Sequence, residues 1–341
     1  MKLNDFDYNL PDSAIAQEPL SVRTESRLLV DIENQIHHSR ISDFPEIVKP
    51  GDLIVMNNTR VLPARFYTNK TTGGKVEILL LEESKEADQW EALVKPSRKI
   101  EPGIIFKFGE DFEIEVQDDL GEGLRKVRLD VKGEFIQTLE KYGEMPLPPY
   151  IKTKLEDKDR YQTVYSKRAK SAAAPTAGLH ITKELLERCV EKGAKIEFVE
   201  LVVGLDTFRP LNTENIEEHK MHSEFYSVSE NVIKACAEAE RVIAVGTTTV
   251  RALETAALGE LEGRTDIFIK RPFDFKIVDL LLTNFHLPKS TLLIMLDAFL
   301  GERWQSLYKE ALYENYRFLS FGDAMLVQRE FLRNRLITNE S

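Results

Sequence analysis

The sequence predicts an α/β fold into which a small antiparallel β domain is inserted. Helix-like and strand-like segments alternate from about residue 180 onward, which is typical of βαβ units around a parallel or mixed sheet. Residues 66–150 instead contain short strands at close spacing, which is typical of a small antiparallel barrel or sandwich. We therefore expect an α/β domain made of residues 1–65 and 151–341, with the inserted domain at 66–150.

Local signals define the elements of the α/β domain. Gly193 and Gly301 end helical patterns at a favourable C-terminal position, and Ser229 is a natural N-cap. The strand-like segments are rich in apolar residues and most of them end at glycine or a polar side chain. The predicted helices cover residues 183–192, 230–240, 248–258 and 290–300, and the predicted strands cover 196–203, 242–245, 265–269 and 277–283.

The elements predicted in the insert are strands. Glycine-containing turns separate them, for example at Gly73-Gly74 and at Gly121, and such turns favour tight reversals of the chain. The predicted strands are 76–81, 90–94, 104–108, 112–116 and 126–131.

Composition limits the class of protein. The 341 residues suffice for two domains with sizeable cores. The net charge of −11 argues against a generic nucleic-acid coat but allows local contact with a nucleic acid. Both cysteines fall in helical patterns and are expected to be buried and reduced. No apolar run approaches a membrane span and the N-terminus has no apolar signal region, so we expect a cytoplasmic protein.

Residues 174–180, with the sequence Ala-Pro-Thr-Ala-Gly-Leu-His, are small and uncharged until the final histidine. Small residues let a ligand approach the backbone closely, and Gly178 permits backbone angles closed to other residues. His180 then adds an imidazole that titrates near neutral pH. The alternative is a tight, buried turn in which the histidine is merely part of the core.

Two further segments lead from a predicted strand into a predicted helix. Residues 246–251 offer backbone N–H groups and hydroxyls at a helix N-terminus, which favours a bound anion. Residues 284–291 repeat this arrangement with His286, and Lys289 stands where the helix dipole repels a cation unless an anion is bound. The alternatives are a threonine-capped helix with an Arg251–Glu254 surface pair and a solvated lysine.

Other polar groups follow predicted strands. Arg60 comes after the apolar run 53–56, and Asp206 follows the strand 196–203, at the sheet edge where open α/β proteins bind ligands. A basic stretch with Lys167, Arg168 and Lys170 is either a nucleic-acid contact or a solvated linker. Phosphate-loop, dinucleotide and iron–sulfur motifs are absent from the sequence, and the histidine spacings predict no metal site.

Taken in order, these segments resemble the S-adenosylmethionine:tRNA ribosyltransferase-isomerases of queuosine biosynthesis. The sequence departs from the family pattern in two segments. Residues 168–172 lack the glycine and proline usual there, and residues 270–275 lack the usual proline-glycine pair; both segments carry added positive charge instead. We therefore expect loop conformation and local tRNA contacts to differ there. The similar stretches are 6–11, 27–30, 51–60, 143–150, 161–165, 173–180, 204–210, 219–224, 246–251 and 284–291.

The resemblance implies a barrel-like α/β domain with a small β-barrel, and a reaction. The ribosyl moiety of S-adenosylmethionine is transferred to 7-aminomethyl-7-deazaguanine in tRNA and isomerised, giving epoxyqueuosine-tRNA with release of adenine and methionine. S-adenosylmethionine is consumed as a substrate, so no cofactor is expected. The partners are the tRNA and S-adenosylmethionine, with no membrane contact, and the chain is expected to be a monomer.

The matching positions give the expected site. His180 and His286 are the candidates for base and acid, in either order, with Glu254 and Asp206 as carboxylate alternatives. The expected tRNA contacts are Lys167, Arg168 and Lys170. The expected substrate-binding residues are Arg60, Thr176, Gly178, Gly246, Thr247, Thr248, Arg251, Asn284, Lys289 and Ser290.

Two other functions compete with this one. An S-adenosylmethionine-dependent methyltransferase would carry a glycine-rich loop after its first strand and an acidic residue at the end of the next strand, and the sequence has no such pair. A non-catalytic RNA-binding protein would favour basic and aromatic platforms. The conspicuous segments here are instead small, polar and histidine-bearing.

Overall fold

The structure is a computed structural model that describes residues 1–70, 73–84, 86, 88–204, 211 and 213–330, with the backbone alone at 168–170. Its helices are α1 (Phe44–Ile47), α2 (Phe135–Tyr142), α3 (Lys183–Glu191), α4 (Glu230–Glu238), α5 (Thr247–Ala256), α6 (Thr291–Leu300) and α7 (Arg303–Tyr313). Its strands are β1 (Arg27–Ile32), β2 (Gln35–Arg40), β3 (Asp52–Asn57), β4 (Thr59–Val61), β5 (Arg65–Asn69), β6 (Lys75–Glu83), β7 (Gln89–Lys95), β8 (Ile105–Phe108), β9 (Phe112–Gly121), β10 (Leu124–Val131), β11 (Arg168–Ser171), β12 (Lys195–Leu201), β13 (Glu224–Ser227), β14 (Arg241–Val245), β15 (Glu262–Thr265), β16 (Leu280–Asn284) and β17 (Ala324–Gln328).

A nine-stranded mixed sheet forms the larger part of the fold, in the order β15-β13-β12-β3-β14-β16-β17-β1-β2. Its central strands β12, β3, β14 and β16 are parallel. Side chains of β3 alternate between two cores, because Leu53 and Val55 pack with α4 to α7 whereas Ile54 and Met56 pack with α1 and α3. Helices thus cover both faces, as apolar parallel strands require.

The smaller sheet has six strands in the order β5-β6-β7-β10-β9-β8, all paired antiparallel. Phe66 in the first strand of this order lies 5.4 Å, between ring centroids, from Phe108 in the last strand. The sheet therefore curls into a nearly closed barrel around its own core. The predicted α/β class with a small antiparallel barrel is confirmed, while the domain boundaries at 65/66 and 150/151 stay predictions.

Two predicted strands of the larger sheet differ most from the structure. The strand predicted over 265–269 is wrong, because β15 ends at Thr265, whose Oγ1 accepts the backbone N–H of Ile267 at 3.2 Å and turns the chain. The strand predicted from residue 277 starts only at Leu280. The backbone N–H groups of Ile277 and Val278 donate to the Glu254 carboxylate instead of to a neighbouring strand.

Helix α5 starts at the end of β14 without a side-chain cap. Its N-cap, Gly246, has φ +89°, a conformation that favours glycine over residues with a Cβ. By contrast, Ser229 and Ser290 cap α4 and α6 through their hydroxyls, as serine does at helix N-termini. The uncapped start of α5 leaves its first backbone N–H groups without intrahelical partners.

Both cysteines, Cys189 and Cys236, are buried, as predicted, and neither forms a disulfide in the structure. Among the residues that the structure describes, no helix combines the length and the apolar character needed to cross a membrane.

Candidate active site

Three neighbouring strands bring polar groups to one edge of the larger sheet. β3 ends at Asn57, β14 is followed by Gly246, and β16 ends at Asn284. Because β3, β14 and β16 are parallel neighbours, their carboxyl ends meet at one edge, where ligands bind in open α/β sheets. The Asn57 side-chain amide donates to Leu201 O at 2.9 Å and to Thr248 Oγ1 at 3.2 Å, so it ties the edge together.

A cavity lies at this edge, which we call the central cavity. Its floor is the small-residue segment 174–177, its sides are the start of α5 and the loop that follows β16, and His286 projects into its wall. A second cavity shares Thr176, Asn284 and His286 with it and continues toward Tyr150. The central cavity is lined by Ala174, Pro175, Thr176, Ala177, Val203, Gly246, Thr247, Thr248, Thr283, Asn284, His286 and Leu292.

His286 is the histidine that lines both cavities, although only 7% of its surface is exposed. Its Nε2 lies 3.1 Å from Thr283 Oγ1, and its backbone N–H donates to the Tyr308 hydroxyl at 2.8 Å. Burial lowers the pKa of His286 to about 3. The imidazole is therefore neutral near pH 7, able to accept a proton but not to begin as an acid.

His180 is one hydrogen bond removed from these cavities. Its Nε2 lies 3.1 Å from Asn284 Nδ2, and Asn284 Oδ1 accepts from the Thr176 hydroxyl at 3.0 Å. Because the amide nitrogen donates, Nε2 of His180 accepts and the ring carries its proton on Nδ1. Burial, with the nearby charges of Arg23 and Arg317, lowers the pKa of His180 to about 4. His180 thus fixes the orientation of Asn284.

Gly178 supports this arrangement by packing rather than by unusual backbone angles. A Cβ at this position would lie 2.0 Å from the Tyr165 hydroxyl and 3.0 Å from Thr163 Cγ2. Gly178 does not use the left-handed backbone angles that glycine permits, since its φ is not positive. Gly178 belongs to the wall behind the cavity, whereas the neighbouring Thr176 and Ala177 line it.

Glu254 is not brought into these cavities. It is 1% exposed, and its carboxylate accepts backbone N–H groups from Lys276, Ile277 and Val278 at 2.7, 3.1 and 2.9 Å. Burial raises the pKa of Glu254, and those hydrogen bonds oppose the shift. The alternative interpretation, an Arg251–Glu254 surface pair, is wrong, because Arg251 pairs with Glu224. Glu254 therefore holds the chain before β16 in place.

Lys289 has a structural anion beside it. Its Nζ lies 2.8 Å from Asp7 Oδ2, and its backbone N–H donates to Phe6 O at 2.9 Å. The Asp7 carboxylate thus offsets the positive charge of Lys289, which the α6 dipole disfavours. No bound anion is needed to explain a lysine at this position. Ser290 caps α6 by accepting from Leu293 N at 3.2 Å and also lines the second cavity.

The remaining predicted residues lie elsewhere. Arg60 lines a separate cleft of about 390 Å³ together with Lys158 and Gln162. Lys167 is exposed, with its ammonium 5.5 Å from the centroid of the Phe198 ring. The side chains of Arg168 and Lys170, and the whole of Asp206, lie outside the described residues.

Sequence reasoning missed the arginine beside His180. Arg23 donates to Leu179 O at 2.7 Å and to Asp159 O at 2.9 Å, so it ties the N-terminal segment to the histidine-bearing turn. Its pKa is lowered by burial and by Arg160. An arginine in an irregular segment far from residue 180 along the chain carries no local signal of this contact. Within the described part of the chain, no cluster of His, Cys, Asp or Glu is arranged to hold a metal ion.

Comparisons with known proteins agree on one family. The family model described as "Queuosine biosynthesis protein" matches residues 3–327. The S-adenosylmethionine:tRNA ribosyltransferase-isomerase of Natranaerobius thermophilus is 49% identical over 342 residues, covering 96% of this chain and 100% of its own length. The crystal structure of S-adenosylmethionine tRNA ribosyltransferase from Thermotoga maritima matches with 36% identity and a TM-score of 0.53, covering 95% of this chain and 99% of that one.

Proposed function

Because the chain belongs to the queuosine biosynthesis protein family, we propose that it is an S-adenosylmethionine:tRNA ribosyltransferase-isomerase. It transfers the ribosyl moiety of S-adenosylmethionine to 7-aminomethyl-7-deazaguanine in tRNA and isomerises it, giving epoxyqueuosine-tRNA, adenine and methionine. The observation that carries the proposal is the neutral, buried His286 in a cavity floored by small residues at the carboxyl ends of parallel strands.

The reaction needs a base that removes a proton from C5′, beside the sulfonium, so that adenine can leave. His286 is our candidate because its imidazole is neutral and lines the cavity. A pKa of about 3 means that the imidazolium formed in this step gives up its proton readily. We propose that His286 passes this proton to the departing adenine, so one histidine serves as base and then as acid.

The other side chains have supporting roles in the proposal. His180 is a positioning residue, which orients Asn284 through the 3.1 Å contact between Nε2 and Nδ2. The Thr176 hydroxyl fixes the other end of the same amide. We propose that the adenosyl group packs against the short side chains of Ala174 and Ala177, which line the central cavity. The aminomethyl group of 7-aminomethyl-7-deazaguanine must be unprotonated when it attacks the ribosyl carbon.

One assay separates this function from its competitors. The protein is incubated with S-adenosylmethionine and tRNA bearing 7-aminomethyl-7-deazaguanine, and small molecules and nucleosides are analysed by mass spectrometry. We expect adenine release together with a heavier, epoxide-bearing nucleoside, and no adenine release above background with tRNA bearing guanine. Release of S-adenosylhomocysteine would indicate a methyltransferase instead, and binding without turnover would indicate an RNA-binding protein.

We propose that the basic stretch at 167–170 contacts the tRNA backbone. Replacing Lys167, Arg168 and Lys170 together by glutamate is expected to weaken tRNA binding. The slope of log Kd against log salt concentration should flatten by roughly 0.7 to 0.9 for each phosphate that the protein no longer neutralises. Fluorescence anisotropy across a salt series measures both quantities.

The matched control for this charge reversal replaces the exposed lysines 183, 195 and 234 of α3, β12 and α4 by glutamate. It changes the net charge in the same direction, and we expect it to leave the salt slope close to that of the wild type. If the slope of log Kd against log salt concentration is unchanged in the 167–170 variant, that stretch is a solvated linker and does not contact the tRNA.

A further inference from the structure

A third cavity, the Arg251 cavity, adjoins the central cavity at the start of α5. The two share Thr247, Thr248 and Leu292, so they lie side by side. One side of the Arg251 cavity is polar and is formed by Arg251 and the first turn of α5. The other side is apolar and is lined by Met221, Ile267, Phe268, Ile269, Leu292 and Met295.

Arg251 is the charged group of this cavity. Its side chain is only 5% exposed, and Nη1 forms an ion pair with the Glu224 carboxylate. Its Nε and Nη2 atoms are buried and have no hydrogen-bond partner in the part of the chain that is described. Buried donors of a charged group are rarely left unpaired in native proteins, so these two point to a missing acceptor.

Resting on the proposed function, we propose that Arg251 binds the carboxylate of the amino-acid end of S-adenosylmethionine and is the residue that makes the enzyme require it. Nε and Nη2 lie on one edge of the planar guanidinium, which matches the two oxygens of a carboxylate. The uncapped N-terminus of α5 adds a favourable dipole at the same place.

The apolar side of the cavity fits the rest of this end of the substrate. The sulfonium substituent is a short carbon chain, and Met221, Phe268 and Met295 offer thioether and aromatic contacts of matching character. The shared Thr247 and Thr248 then lead toward His286, where the ribosyl carbon beside the sulfur must lie. Glu224 holds the guanidinium in its orientation through Nη1 and leaves the opposite edge to the ligand.

The test compares S-adenosylmethionine with its decarboxylated analogue, which keeps the adenosyl group and the sulfonium but lacks the carboxylate. We expect the wild type to prefer S-adenosylmethionine by roughly 30-fold in kcat/KM for adenine release, the scale of hydrogen bonds to a charged group. Arg251→Met should lose this preference, because activity with S-adenosylmethionine falls while activity with the analogue stays within about threefold.

The control is Arg241→Met, which removes a guanidinium paired with the buried Asp52 and outside these cavities. We expect it to keep the preference. Should Arg251→Met fail to fold, Arg251→Lys replaces it in the test. Lysine keeps the positive charge but lacks the paired N–H groups of the guanidinium edge, so this variant should keep only part of the preference for S-adenosylmethionine. Equal losses with both substrates in Arg251→Met, or a wild type without preference, would overturn the proposal.

Binding distinguishes the failure of this inference from the failure of the proposed function. Calorimetric titration of each compound into the protein without tRNA gives the ratio of their Kd values. A ratio near one overturns the role of Arg251 whatever the activity. A large ratio in the wild type that disappears in Arg251→Met supports this role even if no nucleoside product forms with tRNA, an outcome that would instead overturn the proposed function.

Discussion

His286→Ala should lower the rate of adenine release by about 10²-fold or more, the usual scale for the loss of a general base. We expect this loss because His286 lies at the cavity and carries no charge. His286 lines the central cavity, and burial keeps its imidazole neutral with a pKa of about 3. Single-turnover measurements with saturating S-adenosylmethionine and modified tRNA give the rate directly, and circular dichroism checks that the variant is folded.

Three further variants show whether the effect belongs to His286. Thr283→Val removes the hydroxyl 3.1 Å from its Nε2, so it should also slow the reaction. His180→Ala should cost less than His286→Ala, because His180 acts only through Asn284. The exposed His37 is the matched control, and His37→Ala should behave as the wild type. Wild-type turnover in folded His286→Ala would refute the assignment, and a larger loss in His180→Ala would exchange the two roles.

Local signals were sufficient where the structure depends on neighbours along the chain. The strand-to-helix turn at Gly246 and the serine cap at Ser229 need only a few adjacent residues, and both were predicted. The α/β alternation followed in the same way from segments whose apolar pattern sets which face is buried.

Long-range partners account for what the sequence did not reveal. Glu254 accepts the backbone N–H groups of residues 276–278, so β16 starts later than its apolar pattern suggests. Asp7 neutralises Lys289 from the other end of the chain. The two histidines look alike in sequence, and only the fold distinguishes His286 in the cavity wall from His180 behind Asn284.

The buried histidines should also make the stability of the fold fall as the solution is acidified. The folded pKa values, about 4 for His180 and about 3 for His286, lie below the ordinary value of 6.5. Between these limits the unfolded chain binds more protons than the folded one, so acid favours unfolding. The contribution of the two histidines to the free energy of unfolding is complete above about pH 6.5 and is lost as the pH falls toward 4.

Each histidine contributes up to about 1.4 kcal/mol per pH unit in this window, so the pair should cost roughly 3 to 5 kcal/mol between pH 6.5 and 4.5. Urea unfolding at a series of pH values measures this slope. Many carboxyl groups titrate in the same range, and the comparison is therefore with a variant carrying His180→Gln and His286→Gln. Its absolute stability will be lower, but its dependence on pH should be shallower than that of the wild type.

His37→Gln is the matched control for replacing a histidine, because His37 is exposed on β2. Equal slopes in the wild type and the double variant would mean that both imidazoles titrate alike in the folded and unfolded chains. That result would contradict the desolvation of His180 and His286 in the folded chain. If the free energy of unfolding falls more steeply with acid in the wild type than in the double variant, burial disfavours the protonated form of these two imidazoles in the folded chain.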